Sequence, residues 1–246
     1  MALGRAFVAA ALAAAVAIPA GAKDSILFTI VERCIDASVG NYCEASHCPK
    51  PQAGKCASAK TCEQTSRFHA INARHAVMRD IKSCKPGCPK NFLHALLIPR
   101  MRVSGVEDPA RPPDAWTFAW ESLPSILDDS GARLVPNGEE KDVVLLINPP
   151  AFRSQHQFHI HIARLKAGAR QELMSLKPTP PLVDSLDEVW GAARAHAEQS
   201  GITGAAKFAF GVVVVQDASG KGFRVAAIEG STEGRFSQHS CTEATN

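Results

Sequence analysis

The sequence lacks the features of a nucleic-acid-binding protein. Its 246 residues contain 27 Lys and Arg against 24 Asp and Glu, so the formal net charge is only +3. It has no long block of Lys and Arg and no basic motif interleaved with aromatic residues, which make up 6% of the chain. Because nucleic acid is held by clustered cationic side chains, we predict that it is not a partner of this chain.

Metal-binding signatures and internal repeats are also missing. The sequence contains neither HExxH nor a pair of CxxC motifs, two common spacings of zinc ligands. We therefore predict no metal and no cofactor. Hydrophobic residues amount to 46% and charged residues to 21%, as in ordinary globular proteins. A chain of this length has room for one medium-sized domain or two small ones.

The N-terminal segment has the pattern of an export signal. A short positive region at 1–5 precedes an apolar segment at 7–18, and a cleavage site of the A-x-A type ends at Ala22. The apolar segment is short for a membrane span. We predict export with cleavage after Ala22, and an uncleaved membrane anchor is the alternative. The mature chain, 23–246, is interpreted as a single domain.

The cysteine content agrees with export, because an even number of cysteines in an exported chain indicates disulfides. Seven of the eight cysteines lie between residues 34 and 88, and the spacing of the four at 43–62 does not match common zinc sites. We predict a disulfide-stapled, Cys-rich insertion at about 43–62, with a zinc cluster as the alternative. The sequence does not determine which cysteines pair. They are Cys34, Cys43, Cys48, Cys56, Cys62, Cys84, Cys88 and Cys241.

Hydrophobic periodicity predicts a mixture of helices and strands. Ser185 and Glu188 form a capping box before a helix at 185–200, and residues 115–127 place apolar side chains at helical spacing. We predict an α+β fold in which helices pack on an antiparallel sheet. The predicted strands are 67–82, 92–103, 143–148, 157–165, 208–216 and 223–228, and the other predicted helices are 24–35 and 168–176.

The strand at 157–165 carries the residues best suited to chemistry. Its apolar and polar side chains alternate, which predicts two opposite faces. The apolar face consists of Phe158, Ile160 and Ile162, and the polar face of Gln157, His159 and His161. A neutral imidazole can attack phosphorus and a second can donate a hydrogen bond to a phosphoryl oxygen, so the polar face suits phosphate chemistry. The same histidines also fit a metal site completed by His94 or His239, although the spacing of those residues does not indicate it, or residues with no special role.

Several motifs resemble those of bacterial CDP-diacylglycerol pyrophosphatases. The segment from Leu96 to Asp108 resembles that family's LLIP strand and the turn after it. Asn148 precedes the histidine strand as the family's asparagine does, and the tail ending in Cys241 is similar too. Arg153-Ser154-Gln155 leads into the histidines much as in that family. The resemblance covers roughly residues 24–241, and its specific motifs occupy 92–108 and 148–165.

The same motif resembles the histidine triad superfamily, of which these pyrophosphatases are an exported branch. That superfamily carries three histidines alternating with apolar residues on one strand. The middle position corresponds to His159 and the third to His161, whereas Gln157 stands in the place of the first histidine. An amide still offers a donor and an acceptor there, so we predict that activity survives.

The resemblance implies hydrolysis of CDP-diacylglycerol to CMP and phosphatidate. His159 would form a transient nucleotidyl-histidine and His161 would assist it. Substrate contacts are implied for Asn148, Arg153, Ser154, Gln155 and Gln157. The resemblance also implies a protein of the periplasm, or of the periplasmic face of the inner membrane, that meets the membrane surface. It gives no oligomeric state.

Three alternative functions remain besides hydrolysis of CDP-diacylglycerol. One changes the substrate, and the other two change the class of protein. The first is an exported hydrolase or transferase of soluble nucleotides. The second is a non-catalytic exported protein that uses His159, His161 and a third residue to hold zinc or copper. The third is a disulfide-stapled structural module in which the histidines are incidental.

Overall fold

The computed structural model describes residues 27, 68–80, 92–128 and 130–238. The predicted export signal, the Cys-rich insertion and all eight cysteines lie outside the described residues. So does most of the predicted helix at 24–35, of which Leu27 is described as helical and buried. Within the described part of the chain, no helix has the length and apolar character needed to cross a membrane.

The described residues form an eight-stranded sheet in which all neighbouring strands are antiparallel. The strands are β1 (Phe68–Ile71), β2 (His75–Arg79), β3 (His94–Pro99), β4 (Val143–Ile147), β5 (Ile160–Arg164), β6 (Leu182–Val183), β7 (Gly211–Gln216) and β8 (Phe223–Ile228). Their order across the sheet is β1-β2-β3-β5-β4-β7-β8-β6. The predicted antiparallel pairing of β4 with the histidine strand β5 is confirmed.

The described helices are short and pack on both faces of the sheet. They are α1 (Ala115–Glu121), α2 (Ala169–Ser175), α3 (Val189–Gln199) and α4 (Glu233–Phe236). Single turns of 3-10 helix occupy Leu123–Ser125, Glu140–Asp142, Pro150–Phe152, Leu186–Glu188 and Ala205–Lys207. The predicted capping box is confirmed: Ser185 and Glu188 satisfy each other's backbone N–H groups at the turn that leads into α3.

Each face of the sheet has its own hydrophobic core. The larger core joins the sheet to α1 and α3 and includes Trp116, Leu145 and Val214. The smaller core joins the other face to α2 and α4 and includes Leu146 and Phe236. Neighbours in β4 therefore point to opposite cores, as the period of two in a strand requires. The predicted α+β class with an antiparallel sheet is confirmed.

The N-terminal part of the sheet differs from the prediction in detail. The region predicted as one strand over 67–82 contains two strands, β1 and β2. They are separated by a turn in which Asn72 Oδ1 accepts hydrogen bonds from the N–H groups of Arg74 and His75, at 2.8 and 2.7 Å. The strand predicted at 92–103 ends at Pro99, which has no N–H to continue a ladder.

Candidate active site

Strand β5 places His161 near the middle of the sheet, between β3 and β4, and His159 directly precedes the strand. Phe158, Ile160 and Ile162 are fully buried in the larger core, as the alternation predicts. Because side chains alternate along a strand, His161 lies on the opposite face, on the side of the smaller core. The hydrophobic residues of the strand therefore hold the backbone that presents His161.

The sheet pairing of β5 begins at Ile160 and not at the predicted start of the strand, Gln157. The backbone just before β5 bonds elsewhere: Phe158 N–H donates to Val103 O at 2.7 Å, in the segment that follows β3. His159 thus lies directly before the first residue of β5 and outside its hydrogen-bonded ladder. This position allows its ring to take part in local bonds with the preceding residues.

His159 has a defined arrangement of proton and lone pair. Its Nδ1 lies 2.7 Å from the carbonyl oxygen of Gln157, so Nδ1–H donates to that oxygen. The proton is therefore on Nδ1, and Nε2 carries the lone pair. The residue is 6% exposed, and burial lowers the pKa of His159, a shift that the bond to the Gln157 carbonyl only partly offsets. His159 is a neutral imidazole with a basic nitrogen.

His161 lies next to His159 with its ring edge-on. The ring centroids are 4.8 Å apart and the planes are inclined at 72°. His161 is 4% exposed, and burial holds its pKa well below the usual value although Glu233 favours the charged form. Its Nδ1 lies 3.6 Å from Glu233 Oε1, and within the described residues neither ring nitrogen makes a hydrogen bond. His161 is thus a neutral, buried ring with unused hydrogen-bonding capacity.

A third histidine, His94, joins this pair together with two carboxylates. His94 Nδ1 lies 2.9 Å from Asp80 Oδ2, and its Nε2 lies 3.1 Å from Glu233 Oε1. The His94 and His161 ring centroids are 5.5 Å apart. Burial disfavours charge on His94, but the two carboxylates outweigh burial and raise its pKa. Sequence reasoning raised His94 only as a possible further ligand of a metal site, and it selected neither Asp80 nor Glu233.

Strand pairing explains how His94 and Asp80 reach β5. Leu96 of β3 is the register partner of His161, so His94, two residues earlier, is on the same face of the sheet. Asp80 N–H donates to His94 O at 3.0 Å and extends the β2–β3 ladder by one residue. The only sequence signal for His94 was a histidine inside an apolar strand. Glu233 gave none, because it comes from the far end of the chain.

Asn148 holds the helix that brings Glu233 to the site. Its Oδ1 accepts hydrogen bonds from the N–H and hydroxyl of Thr232, both at 2.9 Å, and from Glu233 N–H at 3.4 Å. Asn148 is buried at the end of β4, so it ties the start of α4 to the sheet. The structure therefore places the predicted Asn148 beside the site, with its oxygen bonded to the chain itself.

Arg153 is a cation that acts electrostatically on His159. Its Nη1 forms an ion pair with Glu107 Oε2 at 2.6 Å, and its Nη2 lies 3.4 Å from His156 Nδ1. The charge of Arg153 contributes to the lowered pKa of His159, which shows that the two are within electrostatic range. Arg153 is thus held by a carboxylate from the segment after β3.

The remaining predicted site residues flank the histidines. Ser154 is exposed and Gln155 is half-buried in the segment that leads to β5. Gln157 is fully buried: its Nε2 donates to Met101 O at 2.9 Å, and its Oε1 accepts from Val103 N–H at 3.3 Å. This amide pins the segment after β3 to the backbone that orients His159. Contacts of these three residues with a substrate stay predictions.

The arrangement provides the parts of a phosphoryl-transfer site. A neutral imidazole with a free lone pair, here His159, is a competent nucleophile at phosphorus. An adjacent N–H on His161 and a guanidinium on Arg153 can offset negative charge on phosphoryl oxygens. Both rings are shielded from water but border polar groups, not hydrocarbon alone.

Comparison with known proteins agrees with this chemistry. Residues 38–181 match the CDP-diacylglycerol pyrophosphatase family. A CDP-diacylglycerol pyrophosphatase of Yersinia pestis is 34% identical over 85 residues, which cover 33% of this chain and 31% of that protein. The corresponding protein of Mycobacterium tuberculosis strain H37Ra is 43% identical over 72 residues, 28% of this chain and 26% of that protein. A probable CDP-diacylglycerol pyrophosphatase of Mycobacterium leprae is 39% identical over 72 residues, 28% of this chain and 25% of its own. Each alignment thus spans between a quarter and a third of the relative's length.

Proposed function

Because the chain belongs to the CDP-diacylglycerol pyrophosphatase family, we propose that it hydrolyses CDP-diacylglycerol to CMP and phosphatidate. The observation that carries the proposal is the hydrogen bond from His159 Nδ1 to the Gln157 carbonyl, which turns the lone pair of Nε2 outward from that bond. The relatives' names support the substrate. The relation to the wider histidine triad superfamily is part of the proposal.

The first step is attack of His159 Nε2 on the cytidylyl phosphorus. A P–N bond forms, the bridging P–O bond breaks, and phosphatidate leaves with the bonding electron pair. A phosphate monoester is a good leaving group, so no strongly acidic residue is needed to protonate it. This agrees with the low pKa of His161, which acts through its N–H as a hydrogen-bond donor to a phosphoryl oxygen.

The second step is attack of water on the nucleotidyl-histidine. The water oxygen forms a P–O bond to phosphorus and loses a proton to solvent, while the P–N bond breaks, CMP is released, and the electron pair returns to Nε2 of His159. Arg153 neutralises the charge that grows on the phosphoryl oxygens in both steps. Ser154 and Gln155 line the approach to phosphorus in this scheme. Gln157 contributes by fixing the backbone that orients His159, and Asn148 by holding α4 in place.

A lipid substrate requires contact with a membrane surface, which two exposed apolar side chains support. Met101 is 51% exposed and Phe152 is 54% exposed. Met101 is in the segment to which Gln157 bonds, and Phe152 directly precedes Arg153. Both segments border the histidines. We place the exported protein in the periplasm or at the periplasmic face of the inner membrane.

Trapping of the covalent intermediate tests the proposal. Brief incubation with CDP-diacylglycerol labelled in the α-phosphate should leave acid-labile label on the wild-type protein and none on His159→Ala. His75→Gln is the matched control, because His75 is a buried histidine at the opposite end of β2 from Asp80 and should not affect labelling. Circular dichroism checks that both variants are folded.

Substrate competition separates this function from the hydrolysis of soluble nucleotides. Turnover of CDP-diacylglycerol should exceed that of CDP-alcohols and dinucleoside polyphosphates. Equal turnover of soluble and lipid substrates would overturn the lipid assignment, and label that persists on His159→Ala would overturn the role of His159.

A further inference from the structure

Three buried residues beside the proposed nucleophile bring metal-ligating atoms together. Asp80, His94 and His161 each offer one ligand atom, and these atoms lie within 4.8 Å of one another. Adjacent ligands of a tetrahedral zinc ion with bonds near 2.1 Å are about 3.4 Å apart. The 2.9 Å separation of His94 Nδ1 from Asp80 Oδ2 and the 4.8 Å limit of the set bracket that distance. Small side-chain adjustments would close the site around an ion.

Glu233 contacts both imidazoles through one carboxylate oxygen. Its Oε1 lies 3.1 Å from His94 Nε2 and 3.6 Å from His161 Nδ1, so one carboxylate oxygen faces one nitrogen of each ring. The nitrogens that remain are His94 Nδ1, which faces Asp80, and His161 Nε2. Metal-ligating histidines typically donate their other N–H to a carboxylate, and Glu233 is in the position of that carboxylate.

An independent observation at His161 points to a ligand. The residue is 4% exposed, and both of its ring nitrogens lack a hydrogen-bond partner among the described residues. A buried polar atom without a partner costs about 1–3 kcal/mol. Neighbours able to accept its N–H are present but lie too far for a good bond. A metal bond to Nε2 would satisfy the ring.

The chemistry of the donor set suits a cation as that ligand. Two carboxylates, Asp80 and Glu233, are buried within reach of the same pair of imidazoles, so the site is electrostatically favourable to positive charge. Imidazole with carboxylate, without thiolate, suits zinc and its first-row neighbours. Asn148 fixes the backbone of Glu233, so the carboxylate that orients both rings is itself held in place.

We propose that Asp80, His94 and His161 bind one divalent metal ion of the zinc type, with Glu233 as the carboxylate that orients the two histidines. This departs from the prediction, made from motif spacing, that the chain binds no metal. It does not rest on the proposed hydrolysis, because His159 is not among the ligands. When bound, the ion would occupy His161 Nε2, and next to the His159 ring it would supply the positive charge that takes the place of the His161 N–H in the proposed hydrolysis.

Direct metal binding to the full-length protein tests the proposal. Free thiols are alkylated, metal is removed with a chelator, and ZnCl2 is titrated in by calorimetry. We expect one site per chain. Asp80→Asn and His161→Gln should abolish saturable binding, and Glu233→Gln should weaken it about 10–100-fold, as loss of an orienting partner does. Glu198→Gln, which changes an exposed acidic residue on α3 outside the site, should bind zinc as the wild type does.

Cobalt substitution keeps the test decisive if a ligand variant fails to fold. Wild-type protein loaded with Co²⁺ should show visible d–d bands without a thiolate-to-cobalt charge-transfer band. A charge-transfer band would assign the metal to cysteines and overturn the proposal, as would wild-type affinity in folded Asp80→Asn. His159→Ala separates the two proposals: it should keep the zinc site while losing the labelled intermediate.

Discussion

At the residue scale, Gly105 makes room for Arg153 beside the site. A Cβ atom at position 105 would lie 1.9 Å from Arg153 Nη1 and 2.7 Å from Glu107 Oε2. Any larger side chain must therefore displace the guanidinium from its carboxylate. A residue without a side chain thus controls where a cation sits in the proposed site.

Gly105→Ala tests that control. We expect kcat/KM for CDP-diacylglycerol to fall about 10–100-fold, because a shift of about 1 Å in a positioning group costs on that order. The loss of stability should be no more than about 1–3 kcal/mol, since the clash is with the end of a flexible side chain. Steady-state kinetics and urea denaturation measure the two effects.

Gly191→Ala on α3 is the matched control. A Cβ there meets nothing within 4 Å, so the variant should gain about 0.5–1 kcal/mol from helix propensity and keep its kcat/KM. Unchanged kinetics in Gly105→Ala would show that the position of Arg153 does not matter to catalysis.

Individual site residues differ in whether the sequence could predict them. His159 and His161 were found because they alternate with apolar residues, which is a local pattern that depends only on strand geometry. Asp80, His94 and Glu233 belong to other segments of the chain. Only the pairing of β3 with β5 and the docking of α4 bring them to the same point.

At the scale of the element, α3 is held at its end by a histidine. His196 Nε2–H donates to Pro178 O at 3.0 Å, and its Nδ1 accepts from the N–H of Ala227 at 3.2 Å. The ring thereby joins α3 to β8 and to the loop before β6. Only the neutral ring can accept from Ala227, so protonation would break one of the two links.

This arrangement predicts a pH-dependent stability. Burial lowers the pKa of His196 below its usual value of 6.5, and the bond to Pro178 offsets only part of that lowering. Below pH 6.5 the unfolded chain therefore binds a proton that the folded chain does not. Stability contributed by the neutral ring is fully present above that pH and decreases as the pH falls toward the folded-state pKa.

The measurement is a comparison with His196→Gln, which keeps a donor and an acceptor but does not titrate. The free energy of unfolding of wild type minus that of the variant should decrease as the pH is lowered from about 7.5 to 5. His75, His159 and His161 also have lowered pKa values, but they are common to both proteins and cancel. A difference that does not change with pH would contradict the prediction.

Helix and strand boundaries were partly predictable at this scale. The turn that leads into α3 was predicted because the two residues of its capping box, Ser185 and Glu188, lie three positions apart in the sequence. The turn that separates β1 from β2 was not, because it depends on which backbone N–H groups the Asn72 side chain accepts. Side chains that bond their own backbone can end a strand within an otherwise suitable pattern.

At the scale of the whole molecule, the sheet divides the interior into a supporting side and a functional side. Leu145 on β4 is fully buried in the larger core and is the register partner of Ile162 on β5 and Val214 on β7. The three residues pack on the face opposite His161. Stability of the site should therefore depend on a core that does not touch it.

Leu145→Ala is expected to lower the free energy of unfolding by about 2–5 kcal/mol, because it leaves a cavity in the middle of the larger core. Leu182→Ala on the edge strand β6, where the side chain is 44% exposed, should cost no more than about 0.5 kcal/mol. Urea denaturation followed by circular dichroism measures both. Equal losses in the two variants would show that the larger core does not dominate stability.

By itself, the sequence determined the α+β class, the antiparallel pairing of the strands predicted at 143–148 and 157–165, the family and the two neighbouring histidines. These depend on alternation, capping and motifs, which act between residues close along the chain. Tertiary structure decided what surrounds His161: a histidine from β3, an aspartate after β2 and a glutamate from α4. Residues 80 and 233 are over 150 positions apart in the printed sequence, and only strand order and helix docking place them around one ring. No local sequence pattern predicts that these side chains surround His161, because their positions depend on the packing of the whole sheet.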